Sequence, residues 1–577
     1  MFLTILMAMN RLFAFRFLRL AVILSSFGGI CVDSGHAQVW NGIGVSSGGT
    51  GTDYGTASNW TNDLVGGDFS SINTTGTYTV GLDAGGDPYV TALNFNFTAT
   101  GVNFTLGNGT VSPSETINVS GGAVYVSAEA STVVTLGSDL TLNLGSFSTA
   151  QTFGFVTNTS GTLPAYTLSQ TPILYINALV TGTATSGGSI TQAYNTYSAG
   201  HSGTVSIVFA NNNNTFDAPI SVAGSLAFTS IGNIGSASAL GDPTTAAHGL
   251  ITVSNGGSLD YIGTANQSSD REITLHGASE NIANESASAT DLTLSGVITN
   301  YGNSASTLNV FADANDTVTL SGVISDNNGY ATSLIKGRYP TLYNGATGAV
   351  ATGTLILSAA NTYSGGTTQQ VGTLLVTNTS GSATGTGAVT VAGTGQAAVL
   401  GGSGIIAPGG SNGVTVTGSN GIGTIYPGAG GSISTLTFDG GNTSGPLLTM
   451  GSGATFKFTL GSSNTSDTIR FFNYAGASDF VLNNNTINFT DAQAGTFVLF
   501  EFYSDEGTTL MSSDISSGLT LGTGLTGFTA TLDYSDPGEI LLDVAAVPEP
   551  STLDLIGLSV LGYIGAAVRK RQRSLVA

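Results

Sequence analysis

Leu292-Thr-Leu-Ser-Gly-Val-Ile298 recurs as Val318-Thr-Leu-Ser-Gly-Val-Ile324. Each copy alternates apolar and polar residues and then breaks at Ser-Gly, the pattern of a short half-buried strand ending in a tight turn. A longer unit also appears twice. Ser206-Ile-Val-Phe-Ala-Asn-Asn-Asn-Asn-Thr-Phe216 leads to Gly224-Ser-Leu-Ala-Phe228, and Thr354-Leu-Ile-Leu-Ser-Ala-Ala-Asn-Thr-Tyr363 leads to Gly372-Thr-Leu-Leu-Val376. Both continue through Gly/Ser/Thr-rich turns into another alternating run, Leu250-Ile-Thr-Val253 or Ala388-Val-Thr-Val391. A unit of roughly 25 residues with two or three such strands cannot bury its own apolar face, whereas stacked units bury a continuous one. The chain is therefore expected to be all-β, an elongated right-handed parallel β-solenoid with a C-terminal β cap. A row of β-sandwiches is the competing architecture. The Asn residues before Thr215-Phe216 and Thr362-Tyr363 are expected at corners, as left-handed turn residues or side-chain ladders.

Composition agrees with this reading. Glycine occupies 83 of 577 positions, 41% of residues are hydrophobic and there are only 13 prolines. Such a chain is too apolar to stay disordered. Only 8% of residues are charged, against roughly 25% in an average soluble protein. Between Gln38 and Val547 the basic residues are Arg271, Lys336, Arg338, Lys457 and Arg470, set against 31 acidic ones. A body of that charge cannot neutralise phosphates, which excludes nucleic acid as a partner. The single cysteine, Cys31, lies outside that body, so thiolate catalysis and cysteine-zinc sites are excluded from it.

The two ends read as addresses. In residues 1–37, Arg11, Arg16 and Arg19 precede the apolar run from Leu20 to Val32, and Gly35-His-Ala37 supplies small residues before Gln38. This is the layout of a secretory signal cut between Ala37 and Gln38, which implies a secretion translocase and a signal peptidase as partners. Met9 is an alternative start, and a retained anchor is the alternative to cleavage. At the other end, Val547-Pro-Glu-Pro-Ser-Thr552 precedes Leu553–Val568 and the basic cluster Arg569, Lys570, Arg571 and Arg573. A helix over Leu553–Val568 would be about 24 Å long, short for a bilayer core of about 30 Å. The basic cluster would hold its far end on the cytoplasmic side. The expectation is a short transmembrane helix that stops transiently in the inner membrane, with an extended Pro-x-Pro handle just outside it. An ordinary C-terminal anchor is the alternative.

This three-part tail resembles the PEP-CTERM sorting signal. The resemblance implies recognition of Pro548, Glu549 and Pro550 by an exosortase-like membrane protease, and release or transfer to the cell surface or extracellular matrix of a Gram-negative-type bacterium. Asp554 departs from the usual purely apolar start of the helix. Residues 354–406 resemble the autotransporter-associated β-strand repeat, also called the passenger-associated transport repeat. The matching parts are Asn361-Thr-Tyr-Ser-Gly-Gly-Thr367, Gly372-Thr-Leu374 and Gly401-Gly-Ser-Gly404. That resemblance implies a piece of secreted β-helix. The copy at 206–228 lacks the Gly-Gly step. The expected organisation is a signal peptide at 1–37, an N-terminal β-rich cap and first coils at 38–205, the repeat-bearing solenoid at 206–429, a C-terminal β cap at 430–546 and the sorting signal at 547–573. Trp40 and Trp60 are expected to close the N-terminal end, where an open sheet edge would otherwise recruit strands.

A search for chemistry finds little. His201, His248 and His276 each stand alone among small polar residues, with no metal-ligand spacing. No nucleophile elbow or phosphate loop is present. Local carboxylates occur at Asp313 and Asp316, at Asp505 and Glu506, and at Asp533, Asp536 and Glu539. Each group reads as a solvated turn, as a Ca²⁺ site of hard oxygen ligands, or as half of a polysaccharide-cleaving site short of a base. No catalytic or metal-binding residue is assigned and no cofactor is required. The expectation is a non-enzymatic exported rod whose Ser, Thr and Asn rows face an extracellular polysaccharide. A secreted β-helical carbohydrate-active enzyme is the alternative, and a self-assembling spacer a third reading.

Overall fold

The computed structural model describes residues 68–72, 76–80, 89–97, 101–107, 115–127, 132–155, 172–194, 206–337, 351–418, 422–441, 444–547 and 564. The signal segment 1–37, Trp40, Trp60, His201, Arg338 and the sorting residues Pro548, Glu549, Pro550, Arg569, Lys570, Arg571 and Arg573 lie outside the described residues. The described chain is mostly β. Its helical elements are Ala246–Gly249 and two 3₁₀ turns, Pro427–Gly430 and Ser462–Asn464. Among the described residues no helix is long and apolar enough to cross a membrane. The expected helix over Leu553–Val568 lies outside them, Ile564 apart.

The strands form four sheets of 12, 15, 10 and 6 strands, called first to fourth below. From residue 251 to 357 the chain visits the first three in strict rotation. Ile251–Val253 joins the first, Ser258–Tyr261 the second and Gln267–Ser269 the third; Ile273–Leu275 then returns to the first. Each strand lies parallel to the strand laid down one circuit earlier. This connectivity is consistent with a β-solenoid.

The quoted repeat stacks upon itself. Leu292, Thr293 and Leu294 pair with Val318, Thr319 and Leu320, and Ile298 pairs with Ile324. Identical residues, with Val318 for Leu292 as the one exception in these pairs, thus fill matching sites in successive coils. The repeated glycine has a steric cause. A Cβ on Gly322 would lie 1.9 Å from the Gly296 carbonyl oxygen, and one on Gly296 would lie 2.0 Å from that of Arg271. Only glycine allows coils to approach this closely.

The longer unit also folds alike in both copies. Ser206–Phe209 pairs with Ser225–Phe228, and Thr354–Leu357 pairs with Thr373–Val376. Ile220–Val222 pairs with Ile251–Val253, and Thr367–Gln369 with Val389–Val391. Asn214 and Asn361 stand at corresponding corners, but neither adopts a left-handed backbone; that conformation belongs to turn residues such as Asn255, Asn315 and Asn328. The corner asparagines act through their side chains.

A single apolar core runs from Leu93 to Val544. Columns of Leu, Ile and Val fill it, each buried side chain contributing about 1.5–3 kcal/mol. The parallel ladders run across residue 430: Val414 pairs with Leu448, and Thr455–Thr459 with Thr486–Thr490. Among the described residues, antiparallel strand pairing occurs only where Glu539–Ala546 lies between Gly495–Phe502 and Phe528–Asp533. The aromatic residues here are core: Phe456, Phe471, Phe480, Phe500 and Phe502 are buried and pack edge-on or offset at 4.9–6.2 Å.

Candidate functional surface

The four described basic side chains of the body are engaged in contacts within the structure. Lys336 stands in an inward column of the second sheet, in register with Val310 before it and Gln369 after it. It is fully buried, and its Nζ donates to the Ala351 carbonyl at 2.6 Å. Burial lowers its pKa to about 7, partly offset by Asp313. Arg271 is likewise buried, donating through Nε to Gly249 at 2.7 Å and through Nη1 to Leu240 at 2.8 Å. Desolvation lowers its pKa to about 10, against the charge of Asp270. Lys457 lies 4.5 Å from the centre of the Tyr426 ring, and Arg470 bonds Glu501 at 2.6 Å.

The predicted acidic groups do not converge. Asp316 is buried and accepts from the Thr290 amide at 2.8 Å; desolvation raises its pKa to about 7. Asp505 accepts from the amides of Gly507, Thr508 and Thr509 and from the Thr508 hydroxyl. Those bonds close a turn and hold its carboxyl below the usual range. Asp533 caps the Ser535 amide. Glu539 is pushed up by desolvation and by Glu501 and Asp536. Among the described residues no three His, Asp or Glu side chains are gathered to hold a metal ion.

Two carboxylates escaped the sequence reading because they sit inside strands. Asp260 accepts from Ser225 at 2.6 Å and from Ser258, and desolvation raises its pKa to about 6. Glu280 accepts from Ser306 at 2.5 Å. The structure also gives both described histidines partners. His248 Nδ1 lies 2.7 Å from Asp217 Oδ1, whose other bonds come from the Thr244 amide and hydroxyl. The His276 ring lies parallel to that of Tyr301, within 7° and with centroids 6.0 Å apart; desolvation lowers its pKa.

What the sheets present outward is hydroxyl. In the first sheet Thr191, Ser221, Thr252, Thr274, Thr299 and Ser325 form one unbroken in-register row. Inward-facing neighbours flank the row, and all its members are part-exposed except Thr274, which is buried. Thr252 and Thr274 share a hydrogen bond of 3.0 Å, and Thr299 and Ser325 one of 3.3 Å. The second sheet carries Thr368, Thr390, Thr415 and Thr449. The third carries Thr317, Thr354 and Thr373 and, beyond Val399, Thr424, Thr455, Thr486 and Thr520. Neighbours in a row are about 4.8 Å apart. Threonine suits an exposed strand position by β-propensity alone, but the rows also make an uncharged, regularly spaced donor and acceptor array. Comparison with family models, curated proteins and solved structures yields no match for this chain.

Proposed function

We propose that this protein is a non-enzymatic exported rod, a right-handed parallel β-solenoid displayed at the cell surface or in the extracellular matrix. In this reading the signal at 1–37 directs export. An exosortase-like protease acts at Pro548-Glu549-Pro550 while Leu553–Val568 and the basic cluster Arg569-Lys570-Arg571-Gln572-Arg573 hold the chain in the inner membrane. The mature rod then associates with extracellular polysaccharide.

The observation that carries the reading is the distribution of polar groups. Arg271 and Lys336 are buried on carbonyl oxygens, Lys457 lies on an aromatic ring and Arg470 on a carboxylate. Hydroxyl rows cover the sheet faces. A polysaccharide lyase would need a base near its substrate, and these four are committed elsewhere. A hydroxyl-lined rod of low charge density instead packs closely against a hydrated polymer.

Intact mass and cell fractionation of the native protein, compared with a Pro548→Ala, Pro550→Ala variant, test it. The expected wild-type product lacks both ends and is found outside the inner membrane, whereas the variant keeps its tail and stays there. A wild-type chain that retains residues 548–577 in the inner membrane would refute the sorting step.

A further inference from the structure

Four exposed large apolar side chains stand close to the first-sheet strands Ile298–Asn300 and Ile324–Ser325. Tyr301 is 51% exposed, Val297 44%, Val323 38% and Tyr330 37%. Val297 and Val323 hold the same place in the two copies of the short repeat. They join Leu250 and Glu272 in a backbone-bonded row, in which Glu272 O accepts from Ile251, Val297 O from Ile273 and Val323 O from Ile298. On the far side of the hydroxyl row stand Ser254, His276 and Tyr301, each two residues beyond a hydroxyl. Beside the hydroxyl row, Val297 and Val323 thus stand on one side in two successive coils and the His276 and Tyr301 rings on the other, with Glu272 and Ser254 at the corresponding places one coil earlier.

We propose that this face, with the part-exposed hydroxyls of Thr252, Thr299 and Ser325 flanked by Val297, Val323, His276 and Tyr301 and with Thr274 buried beneath it, is a binding site for a neutral polysaccharide lying along the stack. A pyranose ring presents C–H faces that pack on aromatic and aliphatic side chains, and edge hydroxyls that exchange hydrogen bonds with hydroxyl partners. The hydroxyl position, repeated once per coil, offers a polymer of repeating units a similar partner at each step. Charge selects the polymer class. Glu272 and Asp326 border the face, while the neighbouring base, Arg271, is turned into the core, so an anionic chain meets only repulsion. The second-sheet row is different. Thr390 and Thr415 are flanked by Ala388, Ala392, Gly413 and Thr417, with no ring beside them. The proposal rests on the surface-rod reading for its extracellular setting.

Affinity electrophoresis of the purified full-length chain provides the test, with gels containing mixed-linkage β-glucan or galactomannan as neutral probes and alginate as the anionic one. The expected result is retardation by a neutral polymer and none by alginate. A His276→Ala, Tyr301→Ala variant should bind roughly tenfold more weakly, Tyr301→Phe should keep most of the retardation, and Thr415→Val on the second sheet should match wild type. Every altered side chain faces outward, and far-UV circular dichroism checks that the fold persists. Absence of retardation by both neutral polymers, retardation unchanged in the double alanine variant, or preference for alginate would overturn the site. So would a dimer in sedimentation that Val297→Ser, Val323→Ser dissolves without any glycan retention, because the face would then meet a second copy. Correct sorting without retardation removes the site alone; retardation of a chain found uncleaved in the inner membrane removes the sorting step alone.

Discussion

Asn214 and Asn361 make the same pair of hydrogen bonds in two distant parts of the chain. Asn214 Oδ1 accepts from the Val180 amide at 2.8 Å, and its Nδ2 donates to the Ala239 carbonyl at 2.8 Å. Asn361 Oδ1 accepts from the Ile324 amide at 2.8 Å, and its Nδ2 donates to the Ala383 carbonyl at 2.5 Å. In both places the following threonine amide returns a bond, Thr215 to Val180 and Thr362 to Ile324, each at 3.0 Å. One buried amide thus ties its own layer to the layer before and the layer after.

Asn361→Ala should therefore cost roughly 2–4 kcal/mol, because a buried amide and a buried carbonyl both lose their partner. Hydrogen exchange should accelerate at Ile324 ahead of distant layers, since a stacked chain opens locally. Asn361→Asp should be no better, as a carboxylate cannot donate to Ala383. Unchanged protection at Ile324 would contradict the bridging role.

Gly322→Ala should destabilise by about 2–3 kcal/mol, because its Cβ would collide with the Gly296 carbonyl oxygen. Gly430→Ala is the matched control. Its nearest neighbour is a Leu375 methyl at 3.6 Å, and the change should stay within about 0.5 kcal/mol. Urea titrations of both variants distinguish the two outcomes.

Thermal stability should pass through a minimum near neutral pH. The folded pKa of Asp260 is raised to about 6 and that of Asp316 to about 7. From about pH 4, the ordinary carboxylate value, up to these values the unfolded chain gives up protons the folded chain keeps, so stability falls as pH rises. Lys336, lowered to about 7, acts oppositely: between about pH 7 and 10 the unfolded chain holds a proton the folded chain lacks, and stability climbs. Melting curves should show Asp316→Asn flattening the acid limb and Lys336→Met the alkaline limb. A profile unaffected by either change would exclude these groups as its source.

Asp217→Asn should loosen the segment around Ala246–Gly249 without unfolding the sheets. Desolvation raises the Asp217 pKa, but bonds from Thr244 and His248 outweigh it and leave the carboxyl below its usual value. Its stabilisation is thus present above about pH 4 and lost as pH falls through the folded value. Exchange at Thr244 should quicken by roughly tenfold while Leu259 and Ile282 remain protected. Equal acceleration everywhere would mean that the pair supports the whole stack.

Alternation in Leu292–Leu294 and Val318–Leu320 already showed which side chains face inward, because strand geometry has a period of two and needs no partner to define it. The duplicated Ser-Gly-Val likewise announced two coils with matching sites. The scarcity of bases between Gln38 and Val547 was equally legible in the sequence.

Tertiary structure decided what lies next to what. The copies at 206–228 and 354–376 both pair their first strand with one nineteen residues on, yet their other strands span different loop lengths, and no local pattern predicts such offsets. The shared Ser-Ala-x-Gly at 238–241 and 382–385 was a signal in the sequence, but its meaning, a carbonyl for the corner asparagine, appears only when the layers are stacked. His248 found Asp217, and His276 found Tyr301, across separations of 25 residues or more that include whole strands. The physical reason is that inward or outward direction is a local property of the backbone. The neighbour of each side chain along the stack depends on register, and register is fixed by contacts between segments remote in sequence.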